Sequence, residues 1–286
     1  ELQKQRKEQD FITLLNIIGK LSNELTIENP LQLVFDETLA YLMSLLKTKD
    51  NHFDSSSYQW DKASAILGIP LPEIKDTNIP MAAISKTMID AIYFIPFRDF
   101  FKLFGKDDSP EQNYQTLAEK LNFDLANRPG VRSDDLIDLF NEEFQGAIDA
   151  CSSTINAALA HYIKWHYNLS PSAVKLEEIK QRGLINMFPN LFRFGKIENY
   201  FPSLQIHSGL HASFRYDKAK KFKQNDFYDF QHAASALPYC DYFITDNPLA
   251  QRLINKPLEF DKRFRTKVLA AKPELILQAF NNILLW

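Results

Sequence analysis

Asn225-Asp226-Phe227-Tyr228-Asp229-Phe230-Gln231-His232-Ala233-Ala234, followed by Tyr239-Cys240-Asp241-Tyr242-Phe243-Ile244-Thr245-Asp246-Asn247, is the stretch on which the fold turns. Acids open a segment that reads as a helix from Asp226 to Leu237, and the aromatic and β-branched run from Tyr242 to Thr245 reads as a buried strand. Asp229 and His232, three residues apart, lie on one face of that helix. Asp246 falls where the strand stops. Two hard oxygen donors from separate elements are thus expected to meet, an arrangement suited to a divalent cation.

Outward from this stretch, the last sixty or so residues alternate between the two periods. Helix 226–237, strand 242–245, helix 249–255, strand 266–269 and helix 273–284 predict an α/β fold with parallel strands. Upstream, Phe11 to Leu21 has the spacing of a surface helix, and Leu33-Val34-Phe35 reads as a short strand entered from Pro30 and running into a helix through Met43. Pro70, Pro72, Pro80 and Pro96 chop the region from Trp60 to Gly105 into short segments. Ser133 is an expected N-cap, with Asp134 and Asp135 in the first turn of one long helix carrying Leu136, Phe140, Phe144, Ile148, Cys151, Ile155, Leu159 and Ile163. The segment from Leu169 to Ser213 reads as irregular.

The chain has 286 residues, of which 45% are hydrophobic, enough to bury a substantial core. A formal charge of -3 gives no global positive field, so any nucleic-acid contact must use local patches. Cys151 and Cys240 are too few and too far apart for a disulfide framework or a zinc cluster, and no apolar run approaches a bilayer span. These features predict a cytoplasmic protein without membrane association.

The residues Asp229, Ala233, Ala234 and Ala236, followed by Thr245-Asp246-Asn247, resemble the C-terminal half of PIN-domain nucleases. In that family an acid opens a helix of the form D-x-x-h-A-A-x-A, and a following strand ends in T-x-D, T-D-D or T-x-N. The resemblance implies a three-layer α/β fold with a parallel sheet, and phosphodiester hydrolysis with Mg²⁺ or Mn²⁺ held on carboxylates. Asp229 takes the place of the family's third acid, and Asp246 or Asn247 its fourth position. Asp226, one turn earlier, is a ligand or an outer partner. His232 stands at a usually aliphatic position and either bonds a carboxylate or phosphate or is a core histidine.

The family's first acid ends strand one, and Leu33-Val34-Phe35-Asp36-Glu37-Thr38-Leu39 is a version of that pattern with Glu37 where Thr or Ser is usual. Asp36 is therefore one candidate. The chain opens on Glu1 rather than Met, so the alternative expectation puts the first strand upstream and makes Asp36 or Glu37 the second acid. In the first register, Asp138 and Glu142 of the long helix could supply the second. The interval from Asp36 to Asp229 exceeds what a compact domain of this family needs. Residues 1–30 are thus read as an N-terminal helix, 31–50 and 200–286 as the PIN-like core, and 51–199 as a mostly helical insertion.

Arg215, Lys218, Lys220, Lys221 and Lys223, interleaved with Tyr216 and Phe222, precede the acidic helix. Cations neutralise phosphates and aromatic rings stack on unpaired bases, so this run, with Asn225, Thr245 and Asn247, is the expected substrate contact for single-stranded RNA. Arg182, Arg193 and Lys196 could extend it. His207 and His211, one helical turn apart, read as structural. The resemblance also implies a toxin or defence effector, with an antitoxin or regulatory partner and a homodimer among the assemblies it allows. The alternative is a PIN-like module that binds nucleic acid or protein without cleaving.

Overall fold

The computed structural model describes residues 8–23, 25–45, 60–62, 114–127, 135–166, 200–217 and 219–284, with residues 87, 91, 95, 96, 99, 188, 190, 191, 194 and 196 between them. The chain divides into two compact units, Glu1–Glu28 with Ser57–Glu111, and Asn29–Ser56 with Gln112–Trp286. In the first, helix α1 (Glu8–Ser22) buries Leu15 and stops at Asn23, whose φ of 52° is the left-handed conformation that asparagine tolerates best after glycine. Strand β1 (Leu25–Ile27) follows and pairs antiparallel with β2 (Trp60–Lys62), Leu25 opposite Lys62.

The second unit begins with α2 (Pro30–Ser44). The strand expected at Leu33-Val34-Phe35 is not formed. The Asn29 side chain accepts the N–H groups of Leu31 and Gln32 at 3.1 and 3.0 Å, and Pro30 occupies the first helical position, where its fixed φ favours the helix. Leu33 and Val34, Glu37 and Thr38, and Tyr41 and Leu42 then recur at four-residue spacing and are buried. A local apolar triplet mimicked a strand, whereas the cap and the longer period decide for the helix.

Next come α3 (Gln115–Asn127), α4 (Leu136–Ala150), α5 (Ser152–His166) and α6 (Pro202–Tyr216). The one long helix expected from Ser133 is two. Ser133 and Asp134 lie outside the described residues, and Asp135 is the cap, accepting Ile137 N–H at 2.7 Å. The chain turns at Cys151 because the halves serve different partners: α4 packs on α6, α5 on α2. The segment read as irregular up to Ser213 contains α6, with Pro202 at its first turn.

The C-terminal alternation follows the sequence closely: α7 (Gln224–Ala236), β3 (Tyr242–Thr245), α8 (Asn247–Ile254), α9 (Phe260–Phe264), β4 (Lys267–Ala270) and α10 (Pro273–Leu284). Only α9 was not anticipated. β3 and β4 pair in parallel, Tyr242 with Lys267 through Thr245 with Ala270. Among the described residues the fold is therefore mixed α/β, mostly helical with a two-stranded parallel sheet, and no helix is long and apolar enough to cross a membrane.

Two apolar clusters form the core of this unit. One joins Val34, Tyr41 and Leu42 of α2 to Phe144, Ile148, Ile155 and Leu159 of α4 and α5, with Phe201 and Leu204. The other joins Ile206, Leu210 and Phe214 of α6 to Phe222, Phe227, Phe230, Leu249, Leu253 and Phe260. Helix α6 contributes to both, and Gly209 is where Phe260 sits against it. A Cβ there would stand 2.5 Å from Phe260 Cζ and 3.2 Å from Leu258 Cδ2, with Phe260 fully buried. Gly209→Ala is expected to destabilise the unit by about 1–3 kcal/mol, the overpacking penalty exceeding the helix-propensity gain. Gly146 of α4 is exposed, with nothing within 4 Å of a built Cβ, so Gly146→Ala is expected to stabilise by up to about 1 kcal/mol. Urea-unfolding midpoints of the two variants should move in opposite directions.

Candidate functional site

The basic segment before α7 is anchored rather than free-running. Asn122 of α3 clamps Phe222 with two bonds of 2.8 Å, its Nδ2 donating to the Phe222 carbonyl and its Oδ1 accepting the Phe222 N–H. Phe222 is thereby buried between exposed Lys221 and Lys223. Asn122 was not singled out from sequence, because an amide far along the chain carries no local signal of a clamp. Asp217 opens the segment by accepting Ala219 N–H at 3.2 Å. Lys218 lies outside the described residues, as do Arg182 and Arg193.

Asp226 sits three residues after the N-cap of α7 and accepts the Lys223 backbone N–H at 2.6 Å. A lysine side chain has no acceptor, so this is the one half of a capping box the site can form. Asp246 is the N-cap of α8: its Oδ1 accepts Leu249 N–H at 2.9 Å, immediately beyond the C-terminal end of β3. Both acids hold helix starts, where the positive end of each helix favours a carboxylate.

Asp226, Asp229 and Asp246 nevertheless line one concavity of about 150 Å³, together with Lys220, Lys221, Lys223 and Arg252. The spacing between Asp229 and Asp246 thus brings both elements to a common space, half-buried at Asp229 and exposed at Asp246. A concavity beyond the carboxyl end of a parallel strand is the usual ligand position of an open α/β sheet. Two carboxylates there fit a hard cation that completes its shell with water and substrate oxygens, as Mg²⁺ does. Among the described residues no group of three or more His, Cys, Asp or Glu is arranged to hold a metal ion by itself.

The other expected residues go elsewhere. His232 is exposed on α7 and does not line the concavity, which removes the core-histidine option. Asn225 and Asn247 are exposed first-turn residues, and Thr245 is half-buried in the sheet, its carbonyl accepting Ala271 N–H at 2.7 Å. Arg215 bonds Glu143 Oε1 at 2.7 Å and Glu142 Oε2 at 2.8 Å, tying α6 to α4. The Arg215 side chain is 12% exposed, and its ion pairs join two helices rather than line the concavity. The same pairing takes Glu142 out of the acid set proposed with Asp138. His207 and His211 stack with ring centroids 4.6 Å apart, and burial pushes them down to about 3 and about 4, so they are neutral packing groups near pH 7.

Asp36 and Glu37 lie mid-helix on α2, 7% and 2% exposed, and neither lines the concavity. Gln32 Nε2 donates to Asp36 Oδ1 at 3.1 Å. Glu37 Oε1 accepts the Ser203 backbone N–H at 3.1 Å and the Tyr239 hydroxyl at 2.6 Å. Helix α6 has no side-chain cap of its own, so Glu37 supplies one from another helix. Burial raises its carboxyl to about 7, against the lowering by those hydrogen bonds. Neither Asp36 as the acid that ends a first strand, nor Asp36 or Glu37 as a second acid beside Asp229, matches this position.

Because the folded pKa of Glu37 lies above its unfolded value of 4.5, its contribution to stability is full below about pH 4.5 and is lost as pH rises through about 7. His207 and His211, with depressed pKa values, act in the opposite sense: their contribution is present above about 6.5 and lost as pH falls. Glu37→Gln isolates the first effect, since the amide mimics the protonated acid. The variant should lie within about 1 kcal/mol of the wild type near pH 5 and exceed it by about 3 kcal/mol above pH 8 in urea unfolding. A constant difference across that range would mean that Glu37 is ionised throughout. Comparison with known families, curated proteins and solved structures gives no match at all: no family model, no curated relative and no structural neighbour.

Proposed function

We propose that this chain is a metal-dependent endonuclease with a PIN-like site, hydrolysing phosphodiester bonds of single-stranded RNA in the cytoplasm. The observation that carries the reading is the common concavity of Asp229 and Asp246 at the end of β3, rimmed by Lys220, Lys221, Lys223 and Arg252. Asp229 and Asp246 would hold Mg²⁺ or Mn²⁺. When bound, that ion would supply Lewis-acid polarisation of the phosphoryl group and an acidified water. The chain's own contribution is positioning. The caps at Asp226 and Asp246 fix two carboxylates without rotamer search, and the lysines draw phosphate toward acids that would otherwise repel it.

A second reading, a PIN-like module that binds nucleic acid without cleaving, is favoured by one observation. Among the described residues, only Asp229 and Asp246 join Asp226 in the concavity, and no three-ligand group is formed. The readings separate on metal dependence. With one or two carboxylates, a cation relies on substrate oxygens, so Mn²⁺ should bind weakly alone and more tightly with an uncleavable oligoribonucleotide present.

Asp229→Asn and Asp246→Asn should each lower Mn²⁺-dependent cleavage of single-stranded RNA by at least about 100-fold, the upper end of what losing even an outer-shell partner of a metal ion costs. Asparagine caps a helix as well as aspartate, so Asp246→Asn should retain its unfolding midpoint. Full activity in both variants would move the chemistry elsewhere. Calorimetry without Mn²⁺ binding, even with oligonucleotide, would select the non-cleaving module.

A further inference from the structure

The acidic concavity shares a wall with a much larger groove. Lys220, Pro248 and Arg252 line both, and the groove, about 1220 Å³, runs on between the end of α6, the outer face of α8 and the start of α4. Arg252 stands at the junction with its guanidinium fixed. It donates through Nη1 to the Ser213 carbonyl and Oγ at 3.3 and 3.2 Å and through Nη2 to Asp217 Oδ2 at 3.1 Å, and it lies 4.2 Å over the Phe214 ring centroid. A guanidinium has five donors in one plane, so Ser213 and Asp217 orient it without exhausting it. Further along stand Tyr216, 47% exposed, and the exposed polar and basic side chains of Gln251, Asn255 and Lys256.

We propose that this groove is the path of a single-stranded nucleic acid entering the acidic concavity, with Arg252 holding the phosphate next to the reacting one, Tyr216 stacking a base and Lys256 neutralising a phosphate further out. The inference rests on reading the concavity as a nuclease site and adds the route by which the strand reaches it. Three features select this occupant. The groove is continuous with the acids, it offers cations spaced along its length at Lys220, Arg252 and Lys256, and it presents an aromatic ring at its edge, the combination that single strands use. The groove's own carboxylates are partly offset: Asp217 is paired with Arg252, and Asp135 faces the positive end of α4, whose Ile137 N–H it accepts. A duplex, whose bases are stacked inside, gains nothing from Tyr216.

The test is fluorescence anisotropy of a labelled oligouridine on the full chain in EDTA, where binding is read without cleavage. Tyr216→Ala should weaken binding about tenfold, the usual effect of losing one base-stacking ring. Lys256→Gln should weaken it about fivefold at 0.1 M salt and lower the slope of log affinity against log salt by about 0.7, one phosphate contact on a single strand. Both side chains lie at the surface, so folding should be kept, and circular dichroism checks it. Wild-type affinity in both groove variants, no oligouridine binding by the wild type, or equal displacement by duplex RNA or by polyglutamate would overturn the path. Should cleavage vanish in Asp229→Asn while the groove variants bind normally, the path falls and the nuclease reading stands. Should the groove variants lose binding while no RNA is ever cut, the nuclease reading falls and the path stands.

Discussion

The second unit depends on the burial of one helix from almost every side. Helix α6 places Leu204 in one core cluster and Ile206, Leu210 and Phe214 in the other, so neither cluster closes without it. Such burial carries a cost, because polar groups on the helix are taken from water and must be met inside. Glu37 meets the Ser203 amide, the Ala234 carbonyl accepts from Ser203 Oγ at 3.0 Å, and Ser213 Oγ donates back to the Leu210 carbonyl at 2.7 Å. At the far end Arg215 and Arg252 tie the last turn to α4 and to Asp217. The helix is held at its start by the hydrogen-bonding carboxyl of Glu37 and at its end by cations, the latter in the sense its dipole favours.

Close approach is the second demand of that burial. Gly209 lets the Phe260 ring lie directly on the helix backbone, and α9, which carries Phe260, is bracketed by Glu259 and Arg265 at φ values of 41° and 59°. Left-handed non-glycine residues cost about 1 kcal/mol or more each. They persist here because the buried ring fixes where α9 must sit, and α9 in turn delivers the chain to β4. Thr266, just before β4, is buried and donates to the Leu237 carbonyl, joining the end of α7 to the sheet. The position of β3 beside β4, and hence of Asp246 at its end, is inherited from α6 through these contacts.

The sequence made the C-terminal part legible for a physical reason: there the helical and strand periods alternate over short elements, each with its own cap. Asp229 and Asp246 were readable as neighbours because the helix and strand that carry them are adjacent in the chain. Asp36 and Glu37 were misread because Leu33-Val34-Phe35 satisfies a strand locally, although Asn29-Pro30 already marked a helix start. Arg215 was misread for a different reason. Within a basic run nothing distinguishes a phosphate contact from an ion pair, and only the packing of α4 on α6 brings Glu142 and Glu143 to it. Asn122 and Arg252 matter through residues distant in the chain, and no local pattern encodes such relations.

The two acids that cap helices bear on function as well as on folding. A carboxylate with one oxygen held by a backbone N–H loses most of its rotational freedom before any ligand arrives, which lowers the entropic cost of using its second oxygen. Asp246 meets this condition through Leu249, and Asp226 through Lys223. Asp229, half-buried on α7, lines the same concavity. Such a site is preorganised by secondary structure itself: moving either acid requires breaking the hydrogen bond that caps a helix start. The same logic separates the acids by role, since replacing Asp246 by asparagine keeps the cap and removes only the charge. Chemistry and folding at that position can therefore be read apart in a single residue.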